Sequence, residues 1–94
     1  MIDLKKKDIS DKELEVALLH KMFMMRAGVK RHIYESDLAK GFPPHLRKDI
    51  LKIAKQLYRK GLLIKFPHGR EHVWQLNLKK IDEIKKKIEK FYNL

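Results

Sequence analysis

Pro43-Pro44 breaks the chain at a point through which neither a helix nor a strand ladder can run, because proline lacks a backbone N–H and forces the residue before it away from the helical region. The pair does suit the first turn of a following helix, where those donors have no partner anyway. Downstream, Gly61 is the next residue that can end a helix at little cost. The stretch of about 44–60 is therefore predicted to be one helix, and its two sides differ sharply. Leu46, Ile50, Ile53, Ala54 and Leu57 share one side. With Leu46 at zero, Lys55 falls at ~180°, Lys48 at ~200°, Arg59 at ~220°, Lys52 at ~240° and His45 at ~260°, while Arg47 lies near the apolar side at ~100°. One side needs a core to bury it. The other is a narrow strip of cations flanked by a single acid, Asp49.

Upstream, Ser10-Asp11-Lys12-Glu13 reads as a capping box that starts a first helix of about Asp11 to Arg26, with Gly28 placed to take a positive φ just past its end. Leu14, Leu18, Met22 and Met25 make one apolar stripe on it. Val16, Leu19 and Phe23 make a second, ~140 to 200° away. A helix apolar on two sides is either sandwiched in its own core or forms part of a partner interface. Residues 1–9 carry no helix or strand signal and are expected to be a flexible lead. Val29 to Tyr34 suits a short strand, and Ser36 is placed to cap a one- to two-turn helix that ends at Gly41. Beyond Gly61, Leu62–Phe66 and His72–Leu76 read as two strands around a basic turn, Pro67–Glu71. Asn77 can cap a last helix, within about 78–92, whose buried stripe is Leu78, Ile81, Ile84, Ile88 and Phe91.

Ninety-four residues suffice for one domain and not for two. Lysine and arginine number 23 against 12 acids, a formal charge of +11. The excess is concentrated: residues 45–72 hold eight basic and two acidic residues, while residues 1–44 hold nine and seven. Such a balance suits a polyanion. The absence of cysteine excludes disulfides, thiolate zinc sites and thiol nucleophiles. The start Met1-Ile2-Asp3-Leu4-Lys5-Lys6-Lys7 lacks the apolar run of a signal peptide, and no stretch is apolar enough to span a bilayer, so a cytoplasmic protein without a membrane partner is expected.

The order helix, short strand, short helix, turn, basic helix, hairpin, helix resembles the winged helix-turn-helix superfamily over about residues 10–92. Ser36–Gly41 is similar to the first helix of the helix-turn-helix and Pro44–Lys60 to the recognition helix. Gly61-Leu62-Leu63-Ile64 through Val73-Trp74-Gln75-Leu76-Asn77 is similar to the wing, and its aromatic-x-Leu-Asn step is like that of small prokaryotic, especially archaeal, regulators. Phe42-Pro43-Pro44 is stiffer than the usual turn of that motif. The implied fold is mainly α with a small β-hairpin (α+β), a winged helix-turn-helix with an additional C-terminal helix.

The resemblance and the charge together imply a non-enzymatic protein that binds duplex DNA for transcriptional regulation or chromatin association. An RNA- or ribosome-associated winged helix and a protein-interaction adaptor are the alternatives. The expected contacts are His45, Arg47, Lys48, Lys52, Lys55 and Arg59 on the helix, with Lys65, His68 and Arg70 on the wing. Arginine reads guanine edges better than lysine does, and only two arginines lie on this helix, so phosphate contacts should dominate. A homodimer through Val16, Leu19, Phe23, Phe91 and Tyr92 would bury the second stripe and offer two recognition helices. Trp74 and Tyr58 are either stacking platforms or, for Trp74, core. His68 and His72 have the spacing H-x3-H, but across a turn and without further ligands, so no metal or other cofactor is expected. No phosphate loop, carboxylate pair or catalytic triad can be argued from the spacings.

Overall fold

The capping box forms. Ser10 Oγ accepts from the Glu13 N–H at 3.1 Å, and the Glu13 carboxylate accepts from the Ser10 N–H at 3.3 Å, which opens α1 (Asp11–Met24). The structure is a computed structural model and describes residues 2–6 and 8–94. After α1 come β1 (Ile33–Tyr34), α2 (Glu35–Leu38), and a 3-10 turn, Pro44–Leu46, that leads into α3 (Arg47–Arg59). The chain continues through β2 (Leu63–His68) and β3 (Glu71–Leu76), and a second 3-10 turn, Leu78–Lys80, leads into α4 (Ile81–Glu89). The strands form one antiparallel sheet in the order β1-β3-β2, with Ile33 and Lys65 both opposite Trp74. The chain is thus an α+β domain.

The helix ends show what the residues can tolerate. At the end of α3, Gly61 takes φ +82°, its N–H donates to the Tyr58 carbonyl, and the Leu62 N–H donates to the Leu57 carbonyl. The end of α1 repeats this pattern, but the left-handed residue is Arg26 (φ +57°) and not the expected Gly28, and the helix stops at Met24. Gly28 serves a different purpose at φ +116°. A Cβ there would lie 2.9 Å from the Leu76 carbonyl oxygen, and the Leu76 N–H donates to the Ala27 carbonyl at 3.2 Å. The loop after α1 is thereby fastened to the end of β3.

The four-residue α2 buries Leu38 in the core and is tied at both ends by distant side chains. Ser36 does not cap it as expected: the helix starts one residue earlier, and the Ser36 N–H and Oγ–H both donate to the Glu71 carboxylate, at 3.1 and 2.9 Å. At the other end, the Lys21 ammonium donates to the carbonyls of Asp37, Leu38 and Lys40. An anion at the N-terminal end and a cation at the C-terminal end both match the helix dipole. Burial holds the Lys21 ammonium below the ordinary lysine range, opposed by nearby Asp37.

Leu18, Leu19 and Met22 of α1 meet Ile50, Ile53 and Leu57 of α3 and Trp74 of β3 in the core, all essentially without exposure. Two expectations are corrected here. Ile2 is buried, and Leu4 and Ile9 pack on the core, so these residues of the segment expected to be a flexible lead are attached to the fold, while Met1 and Lys7 lie outside the described residues. The second stripe of α1 is not a free surface. Val16 and Leu19 are buried within the one chain, and Phe23, Phe91 and Tyr92 pack partly buried against the same core. The cause is α4, which folds back along α1: Lys87 Nζ reaches the buried Glu15 carboxylate at 3.3 Å, beside Lys60 Nζ at 2.9 Å. Of the residues on which a homodimer would rest, Val16 and Leu19 are thus taken up within the chain, while Phe23, Phe91 and Tyr92 keep part of their surface.

The same packing stacks the His20 ring on Tyr92, with centroids 3.8 Å apart and planes 4° from parallel. Burial lowers the imidazole pKa below the usual value near ~6.5 and raises that of the Tyr92 phenol. The neutral imidazole is favoured in the fold, so its contribution is complete above ~6.5 and is lost as pH falls through the lowered folded value. Urea unfolding of the wild type should therefore shift to lower midpoints between about pH 7 and 5. His20→Gln should show a shallower fall over that range, and equal slopes in the two proteins would exclude His20 as a source.

Candidate nucleic-acid interface

Leu46, Ile50, Ile53, Ala54 and Leu57 turn inward, which fixes the opposite side of α3 towards solvent. Lys48, Lys52, Lys55 and Arg59 are all exposed there, and with Leu51 and Gln56 they line a shallow groove of about 280 Å³. At 1.5 Å rise per residue the four cations span roughly 16 Å of helix. Among the described residues, none of the four has a carboxylate within 4.0 Å. Lys60, one residue past α3, is instead engaged by Glu15. The structure therefore separates a cation used to hold the fold from four that are not. His45 is exposed in the preceding 3-10 turn, and Arg47 is exposed as the first residue of α3.

The hairpin is longer and tighter than expected. The strands run to His68 and from Glu71, leaving Gly69-Arg70 as a two-residue turn, in which positive φ at the first position (Gly69, +64°) is the type II′ pattern. Arg70 is exposed at its tip. Lys65 does not point out at the tip. It is half-buried on the inner face, its ammonium 5.1 Å from the centroid of the Tyr58 ring and 5.5 Å from that of Trp74, and so sits where α3 and the hairpin meet. Trp74 is core, fully buried, with its indole N–H donating to Glu35 at 3.1 Å.

His68 belongs to a feature that sequence reasoning missed. On the outer face of the sheet, His32, Tyr34, Phe66 and His68 cluster, three of the ring pairs edge to face and the two imidazoles tilted at 43°, and the Tyr34 hydroxyl lies 3.3 Å from His68 Nδ1. Val73, opposite both Tyr34 and Phe66, is completely buried on this face although the face is otherwise exposed. The available signal was the run Leu62-Leu63-Ile64, followed by Phe66, which places apolar residues on both faces of a strand. His72 pairs with Pro67, one step from the His68–Glu71 pair, so the pleat directs His68 and His72 to opposite faces. No group of three or more potential metal ligands occurs among the described residues. Among those residues too, no helix is long and apolar enough to cross a membrane.

A row of fixed cations along a helix, beside an arginine-tipped hairpin, can neutralise the phosphates of a nucleic-acid strand and position a duplex. It offers little for reading bases, since Arg59 is at the far end of α3. Comparison with known proteins finds no matching family model, no matching curated protein and no matching solved structure.

Proposed function

We propose that this chain is a non-enzymatic winged helix-turn-helix module that binds duplex DNA, acting in transcriptional regulation or chromatin association, with α2 and α3 as the helix-turn-helix and β2–β3 as the wing. The sheet order β1-β3-β2 and the short α2 ahead of the basic helix support the winged-helix part of the reading. The single observation that carries the DNA part is the row Lys48, Lys52, Lys55 and Arg59, exposed and without a carboxylate partner. A helix of ~10–12 Å diameter fits the major groove, where such a row meets phosphate oxygens. Arg70 then reaches the flanking backbone or minor groove.

The test compares duplex DNA, single-stranded DNA and RNA hairpins across several salt concentrations. About five phosphate contacts from helix and wing correspond to a slope of log K against log salt of roughly −4 to −5 for duplex DNA. Tighter binding of structured RNA at matched salt would replace duplex DNA by RNA as the target. Preference for unpaired strands would move the site to the aromatic outer face around Tyr34 and Phe66, where bases can stack. Absence of polyanion affinity would leave the adaptor role.

A further inference from the structure

We propose that the groove between the end of α1, the loop after it and the start of α4 is a binding site for a small amphipathic anion, an apolar body with a single carboxylate or similar head group. The groove encloses about 560 Å³. Phe23, Leu76 and Ile81 form its walls, and Met24, Val29 and Leu78 its lip. The two ionisable groups on its lining are Arg26 and Lys85. The proposal is independent of DNA binding, since no residue of α3 or of the hairpin turn takes part.

Three observations converge on that ligand class. The volume falls within the range of small-molecule sites, ~300–1,000 Å³, and the lining has their usual make-up, mostly apolar with a few polar groups. Met24, Val29 and Leu78 are 63%, 66% and 43% exposed, a concentration of uncovered apolar side chains around one depression. Both charged groups on the lining are positive, and among the described residues neither has a carboxylate within 4.0 Å. Lys85 instead hangs 6.0 Å from the centroid of the Phe23 ring, at the boundary between apolar wall and solvent. An occupant that satisfies wall and rim together has an apolar body and a negative head. A second copy of this chain is the poorer fit, because it would bring another body of charge +11 against the two cations.

The site is also built before any ligand arrives. The close approach of Gly28 to the Leu76 carbonyl and the Leu76-to-Ala27 hydrogen bond fix the groove's base. Arg26 is held at φ +57°, a conformation that arginine keeps only when its surroundings impose it. Met24 adds an adaptable thioether at the lip, able to close over bodies of different shape.

Octanoate, 1-octanol and octylamine serve as probes, titrated into the full chain and followed by methyl NMR. Octanoate should shift the methyls of Met24, Val29, Leu78 and Ile81 saturably. The neutral alcohol should bind about tenfold more weakly, the difference expected of one charge-assisted contact, and the cationic amine should not bind there. The double variant Arg26→Gly and Lys85→Gln should reduce octanoate to the level of the alcohol, with the Trp74 indole signal unchanged as the check on folding. If the double variant unfolds, Lys85→Gln alone, on the exposed side of α4, gives the same comparison. Equal affinity for octanoate and octanol would overturn the proposal, as would shifts confined to α3 or no saturable shift at all. Shifts of the same methyls with protein concentration alone would make the occupant a second copy of the chain.

Discussion

Replacing Lys52 and Lys55 together by alanine is expected to lower duplex-DNA affinity by about 10- to 100-fold at 0.1 M salt, with the unfolding midpoint unchanged. Each phosphate contact releases counterions worth ~0.9 in the salt slope, so two lost contacts should flatten it by nearly two units. At 0.1 M salt the same two contacts are worth close to two decades of affinity, which sets the upper end of the range. Both lysines are exposed and, among the described residues, neither has a carboxylate within 4.0 Å, so the fold loses no contact of that kind. The control is Lys79→Ala with Lys80→Ala, which removes the same net charge ahead of α4. That pair is not part of the α3 row, so it acts through the screened general field, and a loss of a few-fold is expected. Equal losses in the two double variants would mean that DNA responds to total charge and not to the α3 row.

Trp74→Ala should destabilise the domain by about 3–5 kcal/mol, against a total near ~5–14 kcal/mol for a chain of this length. Trp74 is fully buried, lies between Ile33 and Lys65 in the sheet, and meets the Tyr58 ring edge-on at 6.3 Å. Truncation opens a cavity in the core and leaves Glu35 without its indole donor. Trp74→Phe keeps an aromatic ring but removes both the indole donor and part of the buried ring volume, so an intermediate loss of roughly 2–3 kcal/mol is expected. Urea titration of the two variants, which lose the same donor but different volumes, isolates the packing contribution of the ring that phenylalanine retains. A cost under about 1 kcal/mol for alanine would contradict the packing described above.

What the chain declares locally was readable from it. The Ser10–Glu13 box, the two-sided α3 and the punctuation at Pro43-Pro44 and Gly61 each depend on residues within a few positions of one another, and each formed. The failures share a different cause. Ser36 looked like a cap because serine commonly is one, yet Glu71, in a strand on the far side of the sequence, takes its hydroxyl. Gly28 looked like a helix stop, yet its missing Cβ makes room for Leu76. Val16 and Leu19 looked like a surface in want of a partner because a helical wheel shows that a side is apolar without showing what covers it. In the candidate site, the α3 cations could be placed from the wheel alone. The inward turn of Lys65 and the aromatic face around Val73 required the strand register, which no local pattern reveals.

The way α2 is anchored also bears on how the chain reaches its folded state. A single helical turn cannot nucleate alone, since ordering its residues costs more than its few hydrogen bonds return. Its ties come from Lys21, 16 to 19 residues earlier, from Glu71, 35 residues later than Ser36, and from Trp74, 39 residues later than Glu35, with Leu38 buried in the core. Those loops must close before α2 gains anything from them. It is thus a late-forming element, consolidated after α1, α3 and the hairpin have met. Its amides are therefore expected to exchange with solvent sooner than those of α1 and α3, so the turn ahead of the basic helix should open before the helices it joins to the rest of the fold.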